Sequence, residues 1–138
     1  MSTAVTEPGF ADPAAALLHF ERRLGFETDC SDVHEGLAQG ADFILVDVRG
    51  AKLFAAGHVP GAVNIPHRTM TAERIAEYPK ETLFVVYCAG PHCNGANKGA
   101  VRLARLGYRV KEMIGGMTGW RDEGFALEGK GAPEARVA

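Results

Sequence analysis

The sequence predicts a three-layer α/β domain built on a mostly parallel sheet. Two short runs, FILVDV at 43–48 and LFVVY at 83–87, are apolar almost throughout and rich in β-branched and aromatic residues. That is the pattern of strands buried on both faces. A third strand-like run, RVKEMI at 109–114, follows a helical pattern closed by Gly107. Strands alternate with helical segments, and such alternation winds a parallel sheet with helices on both faces.

Each element has a local reason. Residues 1–10 carry no periodic pattern and read as a loose tail. Asp12 before Pro13 pairs an N-cap residue with a proline at the first helical position. Leu17, Leu18, Phe20 and Leu24 then form one apolar face, and Gly25 is placed to stop that helix. Residues 1–24 are therefore expected to be a tail and an accessory helix that either packs on the domain, the default, or binds a partner. The stretch FETDCSDVHEGLAQG opens with a short extended piece. Ser31 is placed to cap a helix carrying Val33 and Leu37, with Gly40 closing it. FILVDV is a strand up to Asp47, and GAKLFAA at 50–56 is a short helix. GHVPGAVNIP at 57–66 is a glycine- and proline-marked turn around a brief strand at 62–64. TAERIAE at 71–77 is a weak helix before Pro79. A helical pattern from Asn97 to Leu106 carries Val101, Leu103 and Leu106, and GGMTGWRDEGF turns into a last short helix. The main domain is expected over 25–130 and a polar tail over 131–138.

The bulk composition excludes several classes of function. The chain has 138 residues, one domain by size. Lys and Arg number 15 against 17 Asp and Glu, giving a net charge of −2, so no electrostatic footprint for nucleic acid or an anionic membrane is present. No apolar run reaches the roughly 18 residues of a membrane span. The first residues lack a basic region and carry Glu7 and Asp12, which argues against an export signal. Three cysteines do not suggest a disulfide framework. A reducing, cytoplasmic setting in which thiols survive is expected.

The chemistry concentrates in YCAGPHCNGANKGA, residues 87–100. Cys88 ends a buried strand, and in open parallel sheets ligands bind beyond the carboxyl ends of the strands. Gly90 and Gly95 let backbone N–H groups turn inward as an anion nest. The helix that follows adds its positive end. These effects lead us to expect a lowered Cys88 pKa and a nucleophile with its own anion pocket. The amides of Ala89, Gly90, Pro91, His92, Cys93 and Asn94 are the expected cradle. The bland alternative is a small buried side chain at a strand end. A zinc site of Cys88, His92, Cys93 and Cys30 is disfavoured, because the tight paired spacings of structural zinc are missing; no metal and no organic cofactor is expected. Phosphatase chemistry needs C-x5-R, and Asn94 stands at the arginine position.

The chain resembles single-domain rhodaneses, the thiosulfate sulfurtransferase family. The resemblance rests on LVDVR (45–49), GHVPGAVNIP (57–66), VVYC (85–88), RLARLGY (102–108) and MIGGMTGW (113–120), in family order over roughly residues 30–125. It implies a five-stranded parallel sheet flanked by helices. It also implies that Cys88 takes a sulfane sulfur from thiosulfate or a persulfide, holds it as a persulfide and passes it to a thiol or cyanide. The partners so implied are a small anionic sulfur donor, or a protein persulfide, and a thiol acceptor. The loop departs from the family's usual C-x4-R-S: it is longer and lacks the pocket arginine or lysine. That turns the expected donor from thiosulfate toward a persulfide.

Other residues divide between chemistry and scaffold. Cys93 is either a resolving thiol for Cys88 or a loop residue facing the helix layer. His92 either tunes the thiolate or is merely exposed. Asp47 and Arg49 are expected as an ion pair beneath the active face, His58 as a brace of its turn, Cys30 as core and Trp120 as packing or a pocket wall. Two rivals to sulfur transfer remain: a thiol redox enzyme using Cys88 and Cys93 as a dithiol pair, and a non-enzymatic binding module.

Overall fold

The computed structural model describes residues 2–130. The polar tail expected at 131–138 lies outside the described residues. Five strands form one sheet: β1 (Glu27–Thr28), β2 (Ile44–Asp47), β3 (Val63–Asn64), β4 (Leu83–Tyr87) and β5 (Arg109–Met113). All their pairings are parallel, in the spatial order β1-β5-β4-β2-β3. The helices are α1 (Pro13–Phe26), α2 (Cys30–Ala38), α3 (Ala51–Ala56), α4 (Ala72–Ile75), α5 (Gly95–Arg105) and α6 (Gly116–Asp122), with a 3-10 turn at His67–Thr69.

Side chains of the two central strands alternate between two cores, as the twofold period of a strand requires. Val46, Phe84, Val86 and Cys88 face the core shared with Ala96 and Leu103 of α5. Leu45, Val85 and Tyr87 face the other, with Val33 of α2 and Met117 and Trp120 of α6. Both faces are covered, which is why β2 and β4 read as apolar runs. The same alternation assigns Cys88 to the α5 side.

Three local expectations are corrected. α1 runs through Gly25 to Phe26, because Glu27 closes it by donating its N–H to Arg23 O. Its apolar face is not packed: Leu17, Leu18, Phe20 and Leu24 are all exposed and α1 buries no residue. It touches the domain near its end, where Lys111 Nζ donates to Leu24 O at 2.9 Å. The cap of α2 is Asp29, whose carboxylate accepts from Asp32 N at 2.8 Å; Ser31 lies inside the helix.

Beyond β2 the chain is held by a buried ion pair. Asp47 is fully buried and Arg49 is 8% exposed. Arg49 Nε donates to Asp47 Oδ1 at 3.0 Å and Nη2 to Oδ2 at 2.7 Å. The same Nη2 reaches Gly57 O at 2.7 Å, which ties the pair to the 57–61 turn. Asn64 Nδ2 bonds the carbonyls of Asp47 and Arg49 and fixes β3 alongside. His58 braces the turn from outside, with Nδ1 2.7 Å from Phe54 O and its ring stacked on Phe54. Removing one partner strands a buried charge, so Asp47→Ala is expected to cost about 3–5 kcal/mol of folding stability in urea titrations. A loss under about 1 kcal/mol would mean that the pair holds nothing.

Candidate active site at the end of β4

Cys88 leaves β4 buried, on the α5 side of the sheet. Two amides from the start of α6 pin the chain there: Met117 N donates to Cys88 O at 3.0 Å and Thr118 N to Ala89 O at 2.9 Å. This close approach needs Gly116. Its φ is +55°, and a Cβ on it would overlap the Cys88 carbonyl oxygen and stand 3.0 Å from Gly90 N. The loop then folds back through a turn in which Cys93 N donates to Gly90 O at 3.1 Å.

The turn brings Cys93 Sγ to 2.7 Å from Cys88 Sγ, with both cysteines as free thiols. Gly95, the first residue of α5, makes room for the pair: a Cβ there would lie 2.7 Å from Cys88 Sγ and 3.5 Å from Cys93 Sγ. The two sulfurs open on a groove of about 350 Å³. Its walls are the loop from Gly90 to Asn94, Ala96 and Asn97 of α5, and the strip from Glu112 to Gly116.

The expected cradle is only partly present. Pro91 has no N–H, and the Cys93 N–H is spent on Gly90 O. The amides that do favour a thiolate are those of Ala89, which acts on both sulfurs, and Gly95, which acts on Cys93. Gly95 is at the N-terminal end of α5, where N–H groups have no helical acceptor.

The expected lowering of the Cys88 pKa is also corrected. Burial pushes the Cys88 thiol up to about 11, and the hydrogen bond with Cys93 pushes the same way, against the Ala89 N–H. Cys93 is lowered, first by its bond with Cys88 and then by the Gly95 N–H, with burial opposing. The two shifts run in opposite directions, so Cys93 is the member of the pair that loses its proton more readily.

Among the other predicted residues, His92 is exposed and lines the groove. Asp47, Arg49 and His58 stand outside its walls, although Asp47 is near enough to raise Cys88. Cys30 is buried on the opposite face of the sheet, its Sγ 3.6 Å from the carbonyls of Ile114 and Gly116. Trp120 is core there, donating Nε1–H to Ala126 O at 2.9 Å. No cluster of three metal-ligating side chains occurs among the described residues.

Sequence reasoning passed over Glu112, Asn97, Gly115 and Gly116 as parts of the site. Asn97 Nδ2 lies 3.4 Å from Glu112 Oε2 across the groove. Burial, then Glu27, raises the Glu112 pKa. The double glycine before a short helix was the available signal for Gly116.

The profile of the rhodanese-like domain matches residues 29–123. The chain belongs to the rhodanese-like domain family. A sulfurtransferase of Allochromatium vinosum is 31% identical over 104 residues, which span 73% of this chain and 92% of that protein. The HTH-type transcriptional regulator Rv0324 of Mycobacterium tuberculosis is 42% identical over 96 residues, 69% of this chain and 41% of the regulator. The chain thus spans less than half the length of that relative. Among solved structures, the BH2092 protein of Bacillus halodurans superposes with a TM-score of 0.85 at 38% identity, covering 88% of this chain and 89% of that one. The five-stranded parallel sheet is the rhodanese-like fold. No helix among the described residues is long and apolar enough to cross a membrane.

Because Gly116 meets backbone rather than a movable side chain, Gly116→Ala is expected to cost about 1–3 kcal/mol in chemical unfolding. Unchanged stability would show that the loop and α6 do not depend on this approach.

Proposed function

We propose that the protein is a sulfurtransferase that carries a sulfane sulfur on Cys88 as a persulfide. The observation that carries the reading is the Cys88 thiol at the end of β4, on a solvent-open groove, with the more easily deprotonated Cys93 sulfur 2.7 Å away. A nucleophile within hydrogen-bond reach of a base is the arrangement that activates a thiol. Cys88 attacks the outer sulfur of the donor in the form in which Cys93 is deprotonated, and its proton passes to Cys93. The bond between the donor's two sulfurs breaks, and the remainder of the donor leaves with the electron pair. A thiol or cyanide then attacks the outer sulfur of the Cys88 persulfide and returns Cys88 to its starting state. The Ala89 N–H, which already favours negative charge on Cys88, supports the anionic persulfide. The chemistry suits a reducing compartment, where both cysteines stay thiols.

The groove favours a persulfide donor over thiosulfate. No lysine or arginine stands among its lining residues, and Glu112 does. A dianion entering beside this carboxylate is repelled, whereas a thiol-bound persulfide carries less charge at the reacting end. Glu112→Gln is therefore expected to raise kcat/KM for thiosulfate by about threefold or more and to change persulfide turnover little. Equal effects on both donors would remove Glu112 from donor selection.

The reading is tested by sulfur transfer to cyanide with thiosulfate and with glutathione persulfide as donors. Cys88→Ser is expected to lose turnover with both; retained turnover would defeat the reading. Cys93→Ser removes the proton acceptor and one cause of the raised Cys88 pKa, while burial, the larger cause, still holds the proton on Cys88. Its loading rate is expected to drop at neutral pH and to climb with pH into the alkaline range, more steeply than in the wild type. Parallel pH profiles would show that Cys93 handles no proton.

A further inference from the structure

We propose that Cys93 resolves a loaded Cys88, releasing the carried sulfur as hydrosulfide and leaving a Cys88–Cys93 disulfide. The inference rests on the persulfide reading of Cys88 and adds a second outcome for the same intermediate. Sulfur would be transferred when an acceptor occupies the groove and reductively released when none does.

The two sulfurs lie 2.7 Å apart. A disulfide bond is about 2.05 Å long, so its formation requires well under about 1 Å of further approach. The turn from Gly90 to Cys93 creates the proximity, and Gly95 leaves the space for it. The same two sulfurs differ in exposure: Cys88 is buried and Cys93 half-buried. Cys93, in the wall of the groove, already lies beside the sulfur that becomes the inner sulfur of a Cys88 persulfide. Cys30, the third thiol, is on the other face of the sheet and does not compete. The lowered Cys93 pKa eases the handover of its proton to the departing sulfur.

The step balances without an outside oxidant. After loading, Cys93 holds the proton it received and Cys88 carries an anionic persulfide. Cys93 Sγ forms a bond to Cys88 Sγ, and the bond from Cys88 Sγ to the outer sulfur breaks. The electron pair leaves with the outer sulfur, and the proton from Cys93 ends on it. The outer sulfur is reduced from the sulfane to the sulfide level, and the two cysteine sulfurs are oxidised to a disulfide. An external thiol restores the dithiol by exchange at the more exposed Cys93 sulfur.

The test exposes wild type and Cys93→Ser to a brief pulse of inorganic polysulfide at alkaline pH, where the variant also loads. After desalting without thiol, both are treated with an alkylating agent and read by intact mass and peptide mapping. Cys93→Ser is expected to keep an added mass of about 32 Da on Cys88, one sulfur atom. The wild type is expected to be about 2 Da lighter than its dithiol, with Cys88 and Cys93 joined and closed to alkylation. Added dithiothreitol should reopen both. A wild type that keeps the extra sulfur as the variant does would overturn resolution and leave the carrier reading standing. Absence of the extra sulfur from Cys88 in both proteins would overturn both.

Discussion

The site depends on one contact between backbone segments far apart in sequence. The first amides of α6 take the carbonyls of Cys88 and Ala89, and Gly116 lets the two segments meet. With those carbonyls turned toward α6, the loop that follows must fold back toward α5. That fold sets Cys93 against Cys88 and directs the Ala89 and Gly95 N–H groups at sulfur. Strand alternation supplies the rest: Cys88 shares the face of Phe84 and Val86, so its sulfur is both buried and next to the start of α5.

Burial decides the electrostatics of the pair. A nest of amides and a helix end favour a thiolate, and the sequence shows both. Yet Cys88 belongs to an apolar core, and desolvation outweighs the amides. The more easily lost proton is that of the neighbour, which is less buried and is favoured as a thiolate by Lys98. The result is a nucleophile that keeps its proton until a donor arrives, and a partner placed to receive it. Two thiols share the work that one low-pKa thiolate does alone elsewhere.

Much of the sheet was legible because buried parallel strands announce themselves as apolar runs. FILVDV and LFVVY needed no tertiary information, and the position of Cys88 at a strand end followed from LFVVY. α1 was misjudged because a helical apolar face does not say whether anything covers it. The cap of α2 was missed because Asp29 and Ser31 are both good caps, and tertiary fit chose between them. The sequence offered the contact of Cys93 with Cys88 as one of two alternatives and did not choose, since a glycine-containing loop has many conformations. Glu112 was missed for a related reason: its place in the groove comes from the pairing of β5 with β4, not from any local motif.

The central claim is that Cys88, not its more exposed neighbour, carries sulfur. The most direct measurement is peptide mapping of Cys93→Ser and Cys88→Ser treated with a persulfide at alkaline pH, after trapping the sulfane sulfur with a bulky alkylating agent. A trapped sulfur on the Cys88 sulfur of Cys93→Ser, with none in Cys88→Ser, is the predicted result. A trapped sulfur on Cys93 that persists in Cys88→Ser would contradict the account.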